Sequence, residues 1–118
     1  MGILFVNLYF RDRIPAYLEA VFPPFWRREL DIEDIGVIKD CLETAGVDSS
    51  GFQRFATGTG QQMHDHILDH RFEAGMYGVP TYVLGNDVFF GREHLPYIKW
   101  ALTGKQGPAP DIANEVFE

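Results

Sequence analysis

The densest group of chemically versatile side chains lies near the middle of the chain and comprises His64, Asp65, His66, Asp69 and His70. His66 and His70 are four residues apart, the spacing at which two imidazoles on one helix face can share a metal ion. Because a helix turns by about 100° per residue, His70 falls on the same stripe as Ile67, whereas Asp65 and Asp69 face elsewhere. The group does not converge on one point, so we expect a packed or solvated helix face and no metal.

The single cysteine, Cys41, is the other candidate for reactive chemistry. One cysteine excludes an intrachain disulfide, a Cys-x-x-Cys redox pair and a structural zinc site built from thiolates. Cys41 lies on an apolar stripe with Ile38, Leu42 and Ala45, where a cysteine usually behaves as a small buried hydrophobe. We therefore expect a structural thiol and a reducing, cytoplasmic environment.

Length and charge restrict the classes of protein and of partner. The chain has 118 residues, 46% of them hydrophobic, which is enough for one domain with a core. Lys and Arg number 10 against 17 Asp and Glu, so the basic surface that nucleic-acid binding requires is missing. The apolar start, Met1 to Phe10, has no basic run before it and no small-residue cleavage site after it. Apolar runs are also too short to span a bilayer. We expect a soluble protein without nucleic-acid or membrane partners.

The first part of the chain is predicted to contain a strand and then a helix. Ile3 to Phe10 is rich in aliphatic and aromatic residues and predicts a short strand. From Ile14 the apolar residues follow the spacing of an amphipathic helix. Pro23 and Pro24 should kink or break this helix, with Trp26 continuing its apolar face. We interpret Phe22, Phe25 and Trp26 as core or interface aromatics.

Three further helices are predicted before the pattern changes. They are a helix capped by Asp31 or Asp34 and ending at Gly46, a short helix opened by Asp48, and a longer helix from Thr59 to Gly75 with Gln62 completing a capping box. Four helical segments thus precede the β structure.

The last part of the chain predicts a hairpin and a final helix. Thr81 to Leu84 and Asp87 to Phe90 are joined by Gly85-Asn86, a pair suited to tight hairpin turns. A helix then runs from Gly91 to Gly104, with a regular start delayed by Pro96. Residues 105–118 predict an extended tail.

Four segments resemble one protein family. They are Leu30-Asp31-Ile32-Glu33-Asp34, the junction Ala45-Gly46-Val47-Asp48, the stretch from Glu73 to Val83 that contains Gly78-Val79-Pro80-Thr81, and Phe89-Phe90-Gly91-Arg92-Glu93-His94-Leu95. Together they resemble thioredoxin-like proteins of the DsbA type, most closely the 2-hydroxychromene-2-carboxylate isomerases and kappa-class glutathione transferases. The resemblance runs from about Tyr17 to Leu102. It implies an α/β (α+β) class, with a truncated thioredoxin-like fold and a helical insert of about four helices.

The resemblance also implies a glutathione site. In such relatives the loop proline is cis and the residue before it pairs with the cysteinyl backbone of glutathione, which assigns Val79 and Pro80. On local sequence alone an ordinary trans proline is the commoner outcome. Arg92 and Glu93 occupy the positions that hold the γ-glutamyl group, Glu93 in place of a family Asp and Arg92 in place of the usual Gln or Ser. The alternative for these two residues is an ordinary charged first helical turn.

The catalytic residue is unknown from the sequence. Arg13-Ile14-Pro15-Ala16-Tyr17-Leu18 resembles the family's active-site loop, but Ile14 stands where a Ser or Cys acts on the thiol. An isoleucine side chain can neither donate a hydrogen bond to a thiolate nor act as a nucleophile. The resemblance therefore implies a divergent or truncated thiol-linked isomerase or oxidoreductase; the alternative is a non-catalytic binding or assembly module derived from that family.

The small size of the thioredoxin-like part predicts association between chains. We expect one domain over residues 1–104, with a helical subdomain at 14–75 and the proline loop, hairpin and last helix at 76–104. Outside the helical subdomain only about 40 residues remain for the thioredoxin-like part, a size that rarely folds without staples or a partner. We therefore expect a homodimer in which the sheet or the N-terminal strand is completed, or exchanged, across chains.

Overall fold

The computed structural model describes residues 1–110 and divides the chain into two compact units. The first unit, Met1–Leu68, is helical, and the second begins at Asp69 and carries a β-hairpin followed by a helix. The longest helix in residues 1–110 has 13 residues. None of the described helices therefore has the length and apolar character of a membrane span.

The chain begins with a helix, α1 (Gly2–Tyr9), so the predicted strand Ile3–Phe10 is wrong. The buried residues of α1 are Gly2, Phe5 and Val6, which recur at helical spacing. A continuous apolar run of this length is compatible with either a strand or a helix, and packing decides between them. Here Gly2 lies against the ring of Tyr17, where a Cβ would overlap the Tyr17 hydroxyl.

The second helix, α2 (Ile14–Trp26), follows a short 3₁₀ turn at Arg11–Arg13 and continues through Pro23 and Pro24. The predicted break is therefore absent. A proline at position 24 removes the N–H that the Ala20 carbonyl would accept, and the Cys41 thiol donates to that carbonyl instead, at 3.9 Å. Trp26 is 73% exposed and Phe22 51%, so of the two predicted roles, core or interface, the core is wrong for these two residues.

The next helix confirms its sequence signals. In α3 (Ile35–Thr44) the Asp34 carboxylate accepts from the Val37 N–H at 3.1 Å, so Asp34 is the N-cap. Asp31 instead accepts from the Glu33 N–H in the preceding turn. The chain leaves α3 through Gly46, whose φ of +76° lies in the left-handed region that favours glycine.

The next two helices have bounds that differ from the predicted ones. The helix α4 (Phe52–Ala56) begins four residues after Asp48, which accepts from the Ser50 N–H in the turn before it. In α5 (Thr59–His70) Thr59 is the first helical residue, and the helix ends at His70. Residues 71–75 form hydrogen-bonded turns, and Gly75 has a φ of +77°.

The core of the helical unit is aromatic and aliphatic. Its largest fully buried side chains are Phe52, Leu42 and Val6. The ring of Phe5 lies 5.5 Å from that of Phe52 and 5.3 Å from that of Phe55, centroid to centroid. The buried hydroxyl of Ser49 donates to Glu43 Oε1 at 2.7 Å. The buried polar group is thus satisfied, and the aromatic cluster fixes α1 against α4.

The second unit contains the predicted hairpin. Strands β1 (Thr81–Leu84) and β2 (Asp87–Phe90) pair antiparallel around Gly85-Asn86, with Tyr82 opposite Phe89. A 3₁₀ turn at Arg92–His94 leads into α6 (Leu95–Leu102), so the helix begins later than Gly91, as Pro96 predicts. The indole N–H of Trp100 donates to the carbonyls of Gln106 and Gly107. The first residues of the predicted tail therefore fold back on α6. The remainder of that tail, residues 111–118, lies outside the described residues.

Candidate functional site

The proline loop is held next to the start of the last helical segment by one backbone bond. The Val79–Pro80 peptide bond is cis. The Pro80 carbonyl accepts from the Gly91 N–H at 3.0 Å, which extends the β1–β2 ladder by one pair. On the other side of the proline, the Thr81 hydroxyl donates to the Gly78 carbonyl at 2.6 Å. Pro80 is therefore fixed from both sides by the hairpin that follows it.

Val79 presents both its side chain and its peptide groups to the surface. The residue is 91% exposed, the highest value among the large hydrophobic residues in the described part of the chain. Within residues 1–110 its N–H and C=O make no backbone hydrogen bond. Such a free donor and acceptor can pair with an extended peptide, as at the edge of a sheet.

Glu93 joins this loop through Gly91. Its carboxylate folds back over Gly91 so closely that a Cβ at position 91 would overlap both carboxylate oxygens. Gly91 also has a φ of +99°, a conformation that L side chains rarely adopt. The structure thus places both the Pro80 carbonyl and the Glu93 carboxylate against Gly91. The sequence predicted Gly91 only as the link between the second strand and the last helix. Its place between Phe90 and the charged pair Arg92-Glu93 was the one sequence feature that indicated a role in the site.

Arg92 lies at the start of the last helical segment, beside Glu93. It is exposed and makes no ion pair with any other described residue. Arg92 and Glu93 lie in the 3₁₀ turn that precedes α6, so they are not in the first turn of an α-helix. At the start of α6 itself, Pro96 has no N–H to offer an anion. The turn therefore carries one positive and one negative side chain next to the proline loop.

Neither Ile14, at the position of the family's Ser or Cys, nor Cys41 offers an exposed reactive group. Ile14 is the first residue of α2, half-buried and packed against the core of the helical unit. Cys41 is 6% exposed, as its apolar stripe predicts. Burial raises the pKa of the Cys41 thiol, and the charge of Asp40 raises it further. Cys41 therefore stays protonated, which makes it a poor nucleophile.

Most of the histidine and aspartate side chains of α5 are exposed to solvent. Asp65, His66, Asp69 and His70 are exposed. Ile67, which the spacing placed on the buried stripe with His70, is 41% exposed, so that part of the prediction is wrong. In residues 1–110 no group of three or more His, Cys, Asp or Glu side chains is arranged to hold a metal ion.

The hairpin has one covered face and one open face, the latter covered only in part by Gly75 and Gly78. Phe89 packs against His94 and Tyr97, with ring centroids 5.5 and 5.6 Å apart. The opposite face carries Val83, Val88 and Phe90, which are between 43% and 62% exposed. Each of the two strands also has an outer edge that pairs with no other strand among the described residues. Open apolar sheet faces and unpaired edges are features that proteins usually cover.

Known proteins match most of this chain. The family model of the DSBA-like thioredoxin domain matches residues 4–103. The 2-hydroxychromene-2-carboxylate isomerase of Sphingobium xenophagum is 23% identical over 90 residues, which are 75% of this chain and 46% of that protein. The uncharacterized protein YwbO of Bacillus subtilis (strain 168) is 28% identical over 92 residues, which are 76% of this chain and 46% of that protein. No solved structure matches significantly.

The family match agrees with the architecture. The chain spans about half the length of the curated relatives it matches. Five helices, a two-stranded sheet and a final helix confirm the predicted α+β class, and the match confirms the resemblance of the sequence to DsbA-type proteins. This chain belongs to the DSBA-like thioredoxin domain family.

Proposed function

We propose that the chain binds glutathione at the proline loop, as a divergent member of its family that acts in a thiol-linked isomerase or oxidoreductase reaction. The observation that carries this proposal is the free peptide of Val79 beside Pro80, with the Glu93 carboxylate held against Gly91. Glutathione is a short peptide with an extended backbone, one ammonium group and two carboxylates. The loop offers a free peptide for the extended backbone, a carboxylate for the ammonium group, and the Arg92 guanidinium for one of the two carboxylates.

The binding mode follows from those groups. The cysteinyl residue of glutathione pairs with the N–H and C=O of Val79, like a strand added to the hairpin. The γ-glutamyl ammonium meets the carboxylate of Glu93, and a carboxylate of the ligand meets the guanidinium of Arg92. The chain carries a net charge of −7, which opposes an anionic ligand, so Arg92 offsets an unfavourable field. We propose the glutathione-rich, reducing cytoplasm as its compartment.

The isomerase reaction would use the thiol as a covalent catalyst. The thiolate adds to an activated carbon–carbon double bond, forming a carbon–sulfur bond and an enolate. Rotation about the new single bond and loss of the thiolate then restore the double bond in the other geometry. The protein would stabilise the bound thiolate. The name of the Sphingobium relative supports the isomerase version of this proposal.

Calorimetric titration with glutathione tests the site. We expect saturable binding by the parent chain and at least about fivefold weaker binding by Pro80→Ala and Glu93→Ala, since each removes a group that faces the ligand. Pro108→Ala and Glu19→Ala are the matched controls; both residues are exposed and lie outside the loop, and both variants should bind within about twofold of the parent. Absence of saturable binding by the parent would reject the glutathione site.

A non-catalytic binding or assembly module is the second candidate function. The observation that favours it is the placement of Ile14 against the core and of Cys41 inside the core, because neither can activate a thiol there. The same preparations distinguish the two functions. Glutathione-dependent isomerisation of 2-hydroxychromene-2-carboxylate by the parent, lost in Pro80→Ala, supports the enzyme, whereas glutathione binding without turnover supports the module.

We further propose that two copies associate through the hairpin. In this arrangement the apolar face that carries Val83, Val88 and Phe90, or an unpaired strand edge, meets the same surface of a second copy about a two-fold axis. Exchange of an N-terminal strand is no longer part of this proposal, since residues Gly2–Tyr9 are helical.

Light scattering coupled to gel filtration measures the association. At micromolar concentration we expect twice the chain mass for the parent and a single chain mass for Val83→Lys, because a lysine on the open face leaves an unpaired charge at the interface. Leu8→Lys, at a residue of α1 that is 49% exposed, is the control and should remain dimeric. A parent protein that elutes as a stable monomer contradicts the proposal.

A further inference from the structure

The helical unit contains an open cleft that is separate from the proline loop. Its volume is about 430 Å³, within the range of small-molecule sites. Four aromatic side chains form much of its lining: Phe5, Tyr9, Phe10 and Phe55. All of them belong to the unit Met1–Leu68. The cleft is thus a property of this unit and shares no residue with the glutathione site proposed above.

The aromatic lining has a rigid base and an accessible edge. Phe5 and Phe55 are buried, and their ring centroids are 5.3 Å apart. Tyr9 is 57% exposed and meets Phe55 edge to face, at 5.9 Å and an interplanar angle of 81°. Phe10 contacts Phe5 at 5.7 Å. A planar ring entering the cleft would therefore find preformed aromatic partners for stacked or edge-to-face packing.

The rim of the cleft carries one charge of each sign. Asp48 accepts from the Ser50 N–H at 2.9 Å, and bonds from the Ser50 backbone and hydroxyl lower the pKa of Asp48, which keeps it ionised. Arg54 lies in the last turn of α4 and is exposed. Within residues 1–110, Asp48 and Arg54 form no ion pair with each other or with another side chain. Two opposite charges thus remain available to a ligand.

We propose that this cleft binds a free aromatic α-amino acid. The aromatic ring packs against Tyr9 and Phe55, the α-carboxylate pairs with the Arg54 guanidinium, and the α-ammonium pairs with the Asp48 carboxylate. An aromatic acid would leave Asp48 without a partner, and an aromatic amine would leave Arg54 without one. A residue inside a peptide carries neither charge. The amphoteric amino acid is the class that satisfies the aromatic lining and both charges of the rim.

Titration of the isotope-labelled protein, followed by two-dimensional NMR, tests this site directly. L-Phenylalanine should give saturable shifts centred on Tyr9, Asp48 and Arg54, with a dissociation constant on the order of millimolar, as expected for a small ligand in an open cleft. L-Leucine, which has the same charges without the ring, should bind at least about fivefold more weakly. Because the shifts are mapped on the parent protein, this measurement does not depend on the folding of any variant.

Two charge-neutral variants provide a crossed test. Arg54→Gln should weaken binding of L-phenylalanine and 3-phenylpropanoate by about five- to tenfold while leaving phenethylamine unchanged. Asp48→Asn should weaken L-phenylalanine and phenethylamine while leaving 3-phenylpropanoate unchanged. Arg11→Gln and Asp40→Asn change exposed charges outside the cleft and serve as matched controls. Both controls should bind all three ligands like the parent.

Three outcomes would overturn the proposal. The first is the absence of saturable shifts with L-phenylalanine up to tens of millimolar, roughly ten times the expected dissociation constant. The second is a set of shifts centred outside the cleft. The third is an equal loss of affinity for all three ligands in both variants. Glutathione is added in a parallel titration, and its shifts should map to the proline loop. A failure of L-phenylalanine to bind the cleft therefore does not affect the test of glutathione binding at the proline loop, and the converse also holds.

Discussion

The Phe52→Ala variant should lower the free energy of unfolding of the helical unit by about 3–5 kcal/mol. Phe52 is 1% exposed, and its ring meets that of Phe5 edge to face at 5.5 Å, so truncation leaves a cavity in the middle of the aromatic cluster. Since small domains have a total stability of about 5–15 kcal/mol, this loss is a large fraction of the whole. Urea denaturation followed by circular dichroism measures it as a shift of the midpoint.

Phe22→Ala is the matched control in the same unit. Phe22 is 51% exposed, so the same truncation removes little buried surface, and we expect a change below about 1 kcal/mol. Equal destabilisation by the two variants would show that Phe52 is not the centre of this core. A Phe52→Leu variant should recover part of the loss, because it refills part of the cavity.

Gly91→Ala should abolish most of the binding at the proline loop. A Cβ at position 91 would occupy the place of the Glu93 carboxylate, so the carboxylate must leave its position over Gly91. Glutathione affinity should fall at least about tenfold, as for the loss of a charge-assisted contact. The φ of +99° adds a backbone cost of about 1 kcal/mol for any residue with a Cβ. Calorimetry measures the affinity, and thermal unfolding measures the backbone cost.

Gly104→Ala separates these two effects. Gly104 has a φ of +91°, close to that of Gly91, but a Cβ there meets no atom within 4 Å among the described residues. This control should show the same backbone cost with unchanged glutathione binding. If both variants bind like the parent, Glu93 has no part in the site. If both lose binding equally, general destabilisation explains the loss.

Elements with strong local signals were predictable from the sequence. The hairpin follows from two short apolar runs around Gly85-Asn86, and α3 follows from a capping aspartate, an apolar stripe and a terminal glycine. In both cases the chemistry of a few neighbouring residues selects the conformation. Tertiary contacts then add stability without changing the outcome.

Helix α1 shows why other elements were not predictable. Between Ile3 and Phe10 only Asn7 is polar, so neither the alternation of a strand nor the stripe of a helix can be read. The contact between Gly2 and the Tyr17 ring selects the helix, and that contact depends on residues far apart in sequence. Pro24 within α2 is similar, because its missing bond is compensated by Cys41 from another helix.

The two candidate sites differ in how far the sequence revealed them. Val79, Pro80 and Glu93 came from resemblance to a family motif, whereas the fold of the Glu93 side chain over Gly91 is a matter of three-dimensional geometry. The aromatic cleft had no sequence signal. Tyr9 and Phe10 line the cleft because residues Gly2–Tyr9 form the helix α1. The strand that the sequence predicted over Ile3–Phe10 would not have brought these two side chains to a helical cleft.

The two tryptophans of the chain lie in different compact units. Trp26 is largely in contact with solvent at the end of α2, while the Trp100 indole is tied to the carbonyls of Gln106 and Gly107. Their fluorescence therefore differs in environment as well as in location. A chain in which Trp26 is replaced by phenylalanine emits only from the hairpin unit, and one in which Trp100 is replaced emits only from the helical unit. The protein thus carries a separate fluorophore in each unit, and the hydrogen-bonded indole of Trp100 is the one whose surroundings change more on unfolding.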